Sequence, residues 1–207
     1  MTTQVVSGSD IEAFLVRSGA QNLPHSGRTL LAHLQGTHRL LAEWGNPPDV
    51  ALAGMFHSVY GTNAFRHMTV ALPQRDAVRE LIGEAAEALA YVFCSIDRPH
   101  AITGAATKME GNTSGACEIP HRNLDCSITV SHSQLRQLVE LEAANLIEQG
   151  SQGRQLEDLF FLAYANDEWL SAAAHQALRQ HLKAATAQGV RGCRAPPSAP
   201  ATHGVRT

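Results

Sequence analysis

The segment Val50–Tyr60 most constrains the fold of this chain, because it is apolar on nearly every side. Continued to Thr62, it reads VALAGMFHSVYGT. A helix of this composition belongs at the centre of a domain, since it offers water no polar face. It also contains His57, and an imidazole buried without a partner costs free energy. We therefore expect His57 to meet another side chain, a backbone group, a ligand or a metal.

A second helix, predicted at about 29–44, supplies a candidate partner. Its apolar face is formed by residues at three-to-four spacing: Leu30, Leu34, Thr37, Leu41 and Trp44. His33 lies beside this face. Packing the two helices together would place His33 against His57, either as two hydrogen-bonded core histidines or as the polar centre of a binding pocket.

The remainder of the chain is also predicted to be mainly helical. Helices are indicated at 11–17, 75–82, 84–96, 134–149, 155–165 and 167–186. The run 126–130 alternates and is β-branched, which is compatible with one small β-hairpin. The predicted fold class is therefore all-α, a helical bundle with room for that hairpin.

The domain boundaries follow from composition. Residues 1–20 are predicted to form an N-terminal helical segment and residues 21–186 the helical domain. Residues 187–207 contain too few apolar side chains to fold, so a disordered tail is expected. Within the domain, about 99–122 is rich in Gly, Thr, Ser and Ala without a recognised period, and we expect a flexible insertion there.

Charge and cysteine usage exclude several classes of protein. The net charge is −3 with no basic block, which argues against nucleic acid as a partner. No apolar run reaches the roughly 20 residues of a membrane span, and the first residues lack the features of a signal peptide. The four cysteines have no C-x-x-C spacing, so a cytoplasmic protein with reduced thiols is expected.

The order of these segments resembles a known superfamily. Three segments are similar to the hydrolase domain of the RelA/SpoT guanosine-polyphosphate enzymes. They are Ser26 and Gly27 followed by His33, then 51–62, then 78–94. Those enzymes belong to the HD superfamily of metal-dependent phosphohydrolases. The resemblance implies an HD-like helical bundle.

The resemblance also implies a site. His33 stands at the place of the family's first metal histidine, His57-Ser58 at that of its His-Asp pair, and Asn145 at that of its late aspartate. Thr62 matches a threonine that follows the pair in that family. A closer similarity is to an uncharacterised bacterial family of HD-like fold with His-Ser and Ala-Asn at these places.

Both metal-binding carboxylates of the hydrolases are thus replaced, by Ser58 and Asn145. Hard cations prefer anionic oxygen ligands, so we predict a site without metal or other cofactor, rebuilt as a hydrogen-bonding pocket. If a divalent metal such as Mn or Fe does bind, its expected ligands are His33, His57 and Asn145.

The predicted catalytic residues are His57 and His33. The predicted ligand-pocket residues are Ser58, Tyr60, Thr62, Asn145, His25, Arg66 and Arg98. The two arginines follow predicted helix ends, and a guanidinium suits phosphate or carboxylate. His57 is the preferred acid–base group, because the ordinary pKa of histidine lies near neutrality.

Three functions fit these residues. The first is an HD-like pocket protein that binds or acts on a small polar, possibly phosphorylated, metabolite. The second is a divalent-metal-dependent phosphohydrolase of the HD superfamily. The third is a regulatory or partner-binding helical domain without activity, which would expose a large apolar patch. Binding and turnover both remain open, and the oligomeric state is not predicted.

Overall fold

The structure, a computed structural model, describes residues 7–151, 154–165 and 168–192. Within these residues the chain forms nine α-helices and two small antiparallel sheets. The helices are α1 (Gly8–Arg17), α2 (Leu30–Glu43), α3 (Pro48–Phe56), α4 (Arg75–Ile82), α5 (Glu84–Ser95), α6 (His100–Met109), α7 (His132–Glu148), α8 (Arg154–Ala165) and α9 (Ala172–Gly192). The strands are β1 (Pro24–His25), β2 (Arg28–Thr29), β3 (Ala116–Pro120) and β4 (Ser127–Ser131). The predicted mostly helical fold is confirmed.

Helix α3 is central, as its composition predicts. It packs against α2, α5 and α7. Its buried residues are Val50, Ala51, Ala53, Gly54, Met55 and Phe56. Gly54 permits the close approach of α2, since an added Cβ at this position would lie 2.5 Å from Leu41 Cδ1. The absence of a side chain at Gly54 therefore sets how near the two histidine-bearing segments come.

Helix α3 ends at Phe56, and the prediction that it continues to Tyr60 is wrong. His57 occupies the C-terminal cap position. Beyond it the chain turns, with Gly61 N donating to Ser58 O at 3.0 Å. Gly61 has φ +72°, a left-handed conformation that suits glycine. The residues after His57 consequently point in different directions instead of lining one helical face.

Two hairpins are present in the described residues where one was anticipated. β3 and β4 pair in antiparallel register from Ala116↔Ser131 to Pro120↔Ser127, which confirms a strand near 126–130. β1 and β2 form a second, very short pair. Its turn is made by Ser26 and Gly27, both with positive φ. Strands of two residues carry no readable alternation, so this pair cannot be predicted from the periodicity of the sequence.

The segment 99–122, which is expected to be a flexible insertion, contains regular secondary structure. It forms α6 and β3. Ile102, Ala106 and Met109 are buried on one side of α6. Their spacing is that of a helix face, but the alanines and threonines around them hide the pattern. The segment is part of the packed domain.

The described ends of the chain also differ from the predicted bounds. α1 begins at Gly8, because Ser7 and Asp10 form a reciprocal capping box at its start. α9 continues to Gly192, beyond the predicted end at 186. The rest of the predicted tail, 193–207, lies outside the described residues. None of the described helices combines the length and apolar character that a membrane span needs.

Gly36 on α2 opens a passage for a side chain of α7. It is buried, and a Cβ added there would overlap Glu148, whose Cδ would lie only 2.6 Å away. Glu148 therefore reaches across α2 only because residue 36 has no side chain. By contrast, Gly104 in α6 is exposed and has nothing within 4 Å of an added Cβ.

Gly36→Ala should destabilise the protein although alanine favours helix. Displacing Glu148 leaves buried polar groups without partners, which costs ~1–3 kcal/mol. The matched variant Gly104→Ala should instead stabilise by roughly 0.5–1 kcal/mol, the usual difference in helix propensity. Urea unfolding of both variants measures the two effects. Equal effects of the two substitutions would show that Glu148 does not depend on Gly36.

Candidate functional site

The structure brings His33 and His57 into direct contact in the core. Both side chains are fully buried. Their Nε2 atoms lie 3.0 Å apart, and the rings meet edge to face with centroids 4.8 Å apart. Helix α2 supplies His33, and the end of α3 supplies His57. Two imidazoles thus share one desolvated position where these elements cross.

The other nitrogen of each ring is held by a neighbouring acceptor. His57 Nδ1–H donates to Gly54 O at 2.7 Å, which leaves a lone pair on His57 Nε2. His33 Nδ1 contacts Glu148 Oε2. The opposite oxygen of Glu148 forms an ion pair with Arg28 at 2.6 Å. Neither Glu148 nor Arg28 was predicted from the sequence.

Asn145 on α7 completes a cluster of three polar atoms. Its Oδ1 lies 3.2 Å from His57 Nε2 and accepts a hydrogen bond from Gln149 Nε2 at 2.5 Å. Asn145 is also placed to hydrogen-bond with His33. His33 Nε2, His57 Nε2 and Asn145 Oδ1 therefore face a common point.

Two arrangements of protons are possible at the contact between the histidines. If Glu148 is protonated, it donates to His33 Nδ1, and His33 Nε2–H donates to His57 Nε2. If Glu148 is ionised, His33 Nδ1–H donates to it, and both Nε2 atoms present lone pairs to each other. The second arrangement is repulsive unless a cation lies between them. The protonation of Glu148 therefore decides what this cluster can bind.

Burial controls the charges of these groups. It lowers the pKa of His33 from 6.5 to about 3, helped by positive charge at His25 and Arg28. It lowers the pKa of His57 well below its ordinary value, with His33 adding to the effect. Both imidazoles are therefore neutral at neutral pH. The choice of His57 as the acid–base group rests on the ordinary pKa of histidine, and burial moves the pKa of this ring away from neutrality.

Glu148 shows the opposite shift. Burial raises its pKa from 4.5 to about 7, although Arg28 and His25 oppose this change. A carboxyl group with this pKa changes charge close to neutrality. Glu148 is therefore the member of the cluster that can gain or lose a proton under ordinary conditions.

A cavity of about 250 Å³ is lined by His25, whose ring contacts His33, but not by His33 or His57 themselves. Its polar lining residues are His25, Ser26, Ser58, Thr62, Arg98 and Gln149. The ring of His25 stacks on that of His33 with centroids 4.3 Å apart. His25 Nε2 and Arg98 Nε are buried and make no hydrogen bond among the described residues. We refer to this space as the histidine cavity.

Arg98 is held rigidly at the edge of the histidine cavity. Its Nη1 donates to Glu142 Oε2 at 2.5 Å in a buried ion pair. Its guanidinium carbon lies 4.0 Å from the ring centroid of Phe93. These contacts hold the guanidinium plane in place while Nε remains without a partner.

Three predicted pocket residues do not line the histidine cavity, and one of them, Asn145, instead contacts His57. The hydroxyl of Tyr60 donates to Glu87 at 3.1 Å, and Glu87 is also paired with Arg75. Arg66 lines a separate surface pocket. Because the chain turns after His57, Tyr60 is buried against Glu87 and Arg66 reaches a different pocket, so neither lines the histidine cavity.

The cluster is an unusual set of donors for a metal. No group of three or more His, Cys, Asp or Glu side chains in the described ranges is placed to hold an ion. The three converging atoms are instead two imidazole nitrogens and one amide oxygen. Such neutral, nitrogen-rich donors fit a borderline transition metal and do not fit Mg²⁺ or Ca²⁺. The carboxylate of Glu148 behind His33 is the kind of outer partner that metal-bound histidines have.

Glu148→Gln should change how stability depends on pH. Because the folded pKa of Glu148 is raised above its unfolded value, its protonated form favours folding, and that contribution is lost as pH rises from about 4.5 to about 7. Glutamine resembles the protonated acid throughout. Relative to wild type, the variant should therefore gain stability between pH 4.5 and 7, by ~1.4 kcal/mol for each unit of pKa shift.

Chemical denaturation of chelator-treated protein across this range measures the difference. Glu43→Gln, the same substitution at an exposed position of α2, is the matched control. A constant difference between Glu148→Gln and wild type would mean that Glu148 has an ordinary pKa.

Comparison with known proteins gives a partial match. A family model described as a domain of unknown function (DUF6817) matches residues 14–98, less than half of the chain. No curated protein and no solved structure matched. The matched part includes His33, His57 and Arg98, whereas Asn145 and Glu148 lie beyond it. The first half of the chain is thus similar to that family, and α7 adds the polar groups that complete the cluster.

Proposed function

We propose that this chain is an HD-like helical domain that binds a small anionic metabolite, with the anionic group of the ligand in the histidine cavity. The observation that carries the proposal is the pair of buried atoms without partners, His25 Nε2 and Arg98 Nε. Buried polar groups are nearly always hydrogen-bonded. An unpaired pair lining one cavity therefore calls for a ligand that bonds to both.

The hydrogen-bond donors that line the cavity favour an anion as the ligand. Arg98 is paired with Glu142, and Arg28 with Glu148, so the fixed charges balance. The spare Arg98 Nε–H is a donor on a charged group, and such donors bind phosphate and carboxylate strongly. The hydroxyls of Ser58 and Thr62 line the same space and can also donate.

The size of the cavity limits what enters it. Its volume of about 250 Å³ is below the ~300–1,000 Å³ typical of sites that enclose a whole drug-sized ligand. A phosphate or carboxylate group fits this space, together with a short stem. The cavity therefore suits the charged end of a phosphorylated metabolite, close to the neutral imidazoles of His33 and His57.

Inorganic phosphate should bind in the histidine cavity and shift the NMR signals of Thr62 and Gln149. His25→Phe keeps an aromatic ring against His33 but removes Nε2, so these shifts should disappear or require about tenfold more phosphate. His38→Phe, which lines neither this cavity nor the pocket of Arg66, should leave the titration unchanged. Equal titrations of wild type and His25→Phe would contradict the proposal.

The converging lone pairs favour a second candidate, a divalent-metal-dependent phosphohydrolase. His33 Nε2, His57 Nε2 and Asn145 Oδ1 would hold the ion, with His57 oriented by Gly54 O and His33 by Glu148. Two bonds of ~2.1 Å to histidine nitrogens at a right angle would span about the 3.0 Å seen between the Nε2 atoms. A bound divalent ion would supply Lewis-acid polarisation of a phosphoryl oxygen.

In this second candidate the protein's own groups would position the substrate. Arg98 would orient the phosphoryl group through its fixed guanidinium. Ionised Glu148 would hold the proton on His33 Nδ1, so that Nε2 is free to donate its lone pair. Because metal ligands must be unprotonated, loss of the proton from Glu148 would accompany metal binding.

The metal candidate predicts that Co²⁺ binds and Mg²⁺ does not. His57→Gln should weaken Co²⁺ binding by at least about tenfold, or ~1.4 kcal/mol, since one nitrogen ligand is lost. Asn145→Asp should strengthen it, because a carboxylate adds charge. The control variant is His38→Gln. Visible absorption and calorimetry of metal-free protein provide the measurement, and unchanged Co²⁺ affinity in His57→Gln would exclude this site.

A further inference from the structure

We propose that a second pocket, lined by Asn63, Arg66, Met68, Asp97, Arg122 and Asn123, binds a phosphorylated metabolite that also carries hydroxyl groups. We refer to it as the arginine pocket. It has a volume of about 610 Å³, within the range of sites that enclose whole small molecules. The proposal does not depend on the function proposed for the histidine cavity.

The first support for an anion is the fixed position of Arg122. This residue lies in the turn between β3 and β4. Its Nε donates to Cys94 O at 2.7 Å, and its Nη2 donates to Gly61 O at 3.3 Å. Both acceptors are neutral backbone carbonyls, and no carboxylate of the described residues forms an ion pair with Arg122. Its positive charge is therefore oriented but not neutralised.

Arg66 adds a second guanidinium to the same pocket. Its side chain is exposed and makes no hydrogen bond or ion pair with other described residues. Asp97 is the one acidic lining residue, so the pocket keeps a net positive charge. Two guanidinium groups bind phosphate well because each presents parallel N–H donors that match two oxygens.

Asn63 indicates that the ligand also donates a hydrogen bond. Its Nδ2 donates to Asp97 Oδ1 and to Arg98 O, each at 2.7 Å. Both amide hydrogens are thereby used, which fixes the orientation of the side chain. Its Oδ1 is buried and has no partner among the described residues. A ligand hydroxyl would satisfy this acceptor, whereas the ionised oxygens of a phosphoryl group would not.

The two features together define the chemical class. The arginines call for a dianion, and the amide oxygen calls for a hydroxyl or an N–H group. The volume leaves room for both on one molecule. A sugar phosphate or a related hydroxylated phosphate ester meets all three requirements.

The test compares three probes by calorimetry and by the NMR signals of Asn63 and Asn123. Ribose 5-phosphate should bind and shift these signals, and it should bind more tightly than methyl phosphate. Succinate, a dianion without a phosphoryl group, should bind at least about tenfold more weakly. The phosphate class would be overturned if succinate equalled ribose 5-phosphate. The hydroxyl requirement would be overturned if methyl phosphate, whose dianion carries no hydroxyl group, equalled it.

Arg66→Gln is the decisive variant, because this exposed residue has no structural contacts to lose. It should weaken ribose 5-phosphate binding at the arginine pocket by about tenfold or more, while Arg17→Gln, another exposed arginine outside both pockets, should not. Arg122→Gln should have the same effect as Arg66→Gln, with a melting curve to check its fold. Unchanged binding in Arg66→Gln would overturn the proposal.

The proposals for the histidine cavity and for the arginine pocket can be tested independently of each other. His25→Phe alters only the histidine cavity and should leave the signals of Asn63 and Asn123 responsive to ribose 5-phosphate. Arg66→Gln alters only the arginine pocket and should leave the phosphate response of Thr62 and Gln149 intact. Loss of the Asn63 response in His25→Phe would mean that the arginine pocket is not an independent site.

Discussion

The domain is organised around the cost of placing two imidazoles away from water. A buried polar atom must find a partner, and each nitrogen of His33 and His57 has one. Those partners come from three elements, so α2, α3 and α7 must cross at one place and at one depth. Gly54 and Gly36 supply the space that this crossing needs. The packing of the centre therefore follows from satisfying its polar groups as well as from burying its apolar ones.

The same burial determines where charge can change. Desolvation keeps the histidines neutral and raises the pKa of Glu148 to about 7. The arginines at the rim are held by carboxylates, Arg28 by Glu148 and Arg98 by Glu142. When Glu148 is ionised these charges balance, and under the proposed function an entering anion would meet the remaining donor of Arg98. An entering cation instead requires Glu148 to lose its proton.

The sequence predicted the parts of this arrangement that depend on local periodicity. The periodicity of apolar residues predicted helices α2 and α3 and the contact between His33 and His57. The contribution of Glu148 could not be predicted, because it depends on a side chain crossing another helix at Gly36. Tyr60 was misplaced since the helix ends earlier than its apolar run. Helix α6 was missed because alanine and threonine surround its few buried residues.

The histidine cavity and the arginine pocket share one short wall. Thr62 and Phe65 line the first, while Asn63 and Arg66 line the second. The wall is a tight loop in which Thr62 N donates to Phe65 O at 2.6 Å, and Phe65 N donates back to Thr62 Oγ1 at 2.9 Å. These reciprocal hydrogen bonds fix the loop, so that Thr62 and Phe65 line the histidine cavity while Asn63 and Arg66 line the arginine pocket. Because of the turn at Gly61, Thr62 and Arg66, which are predicted to line one pocket, line two different pockets.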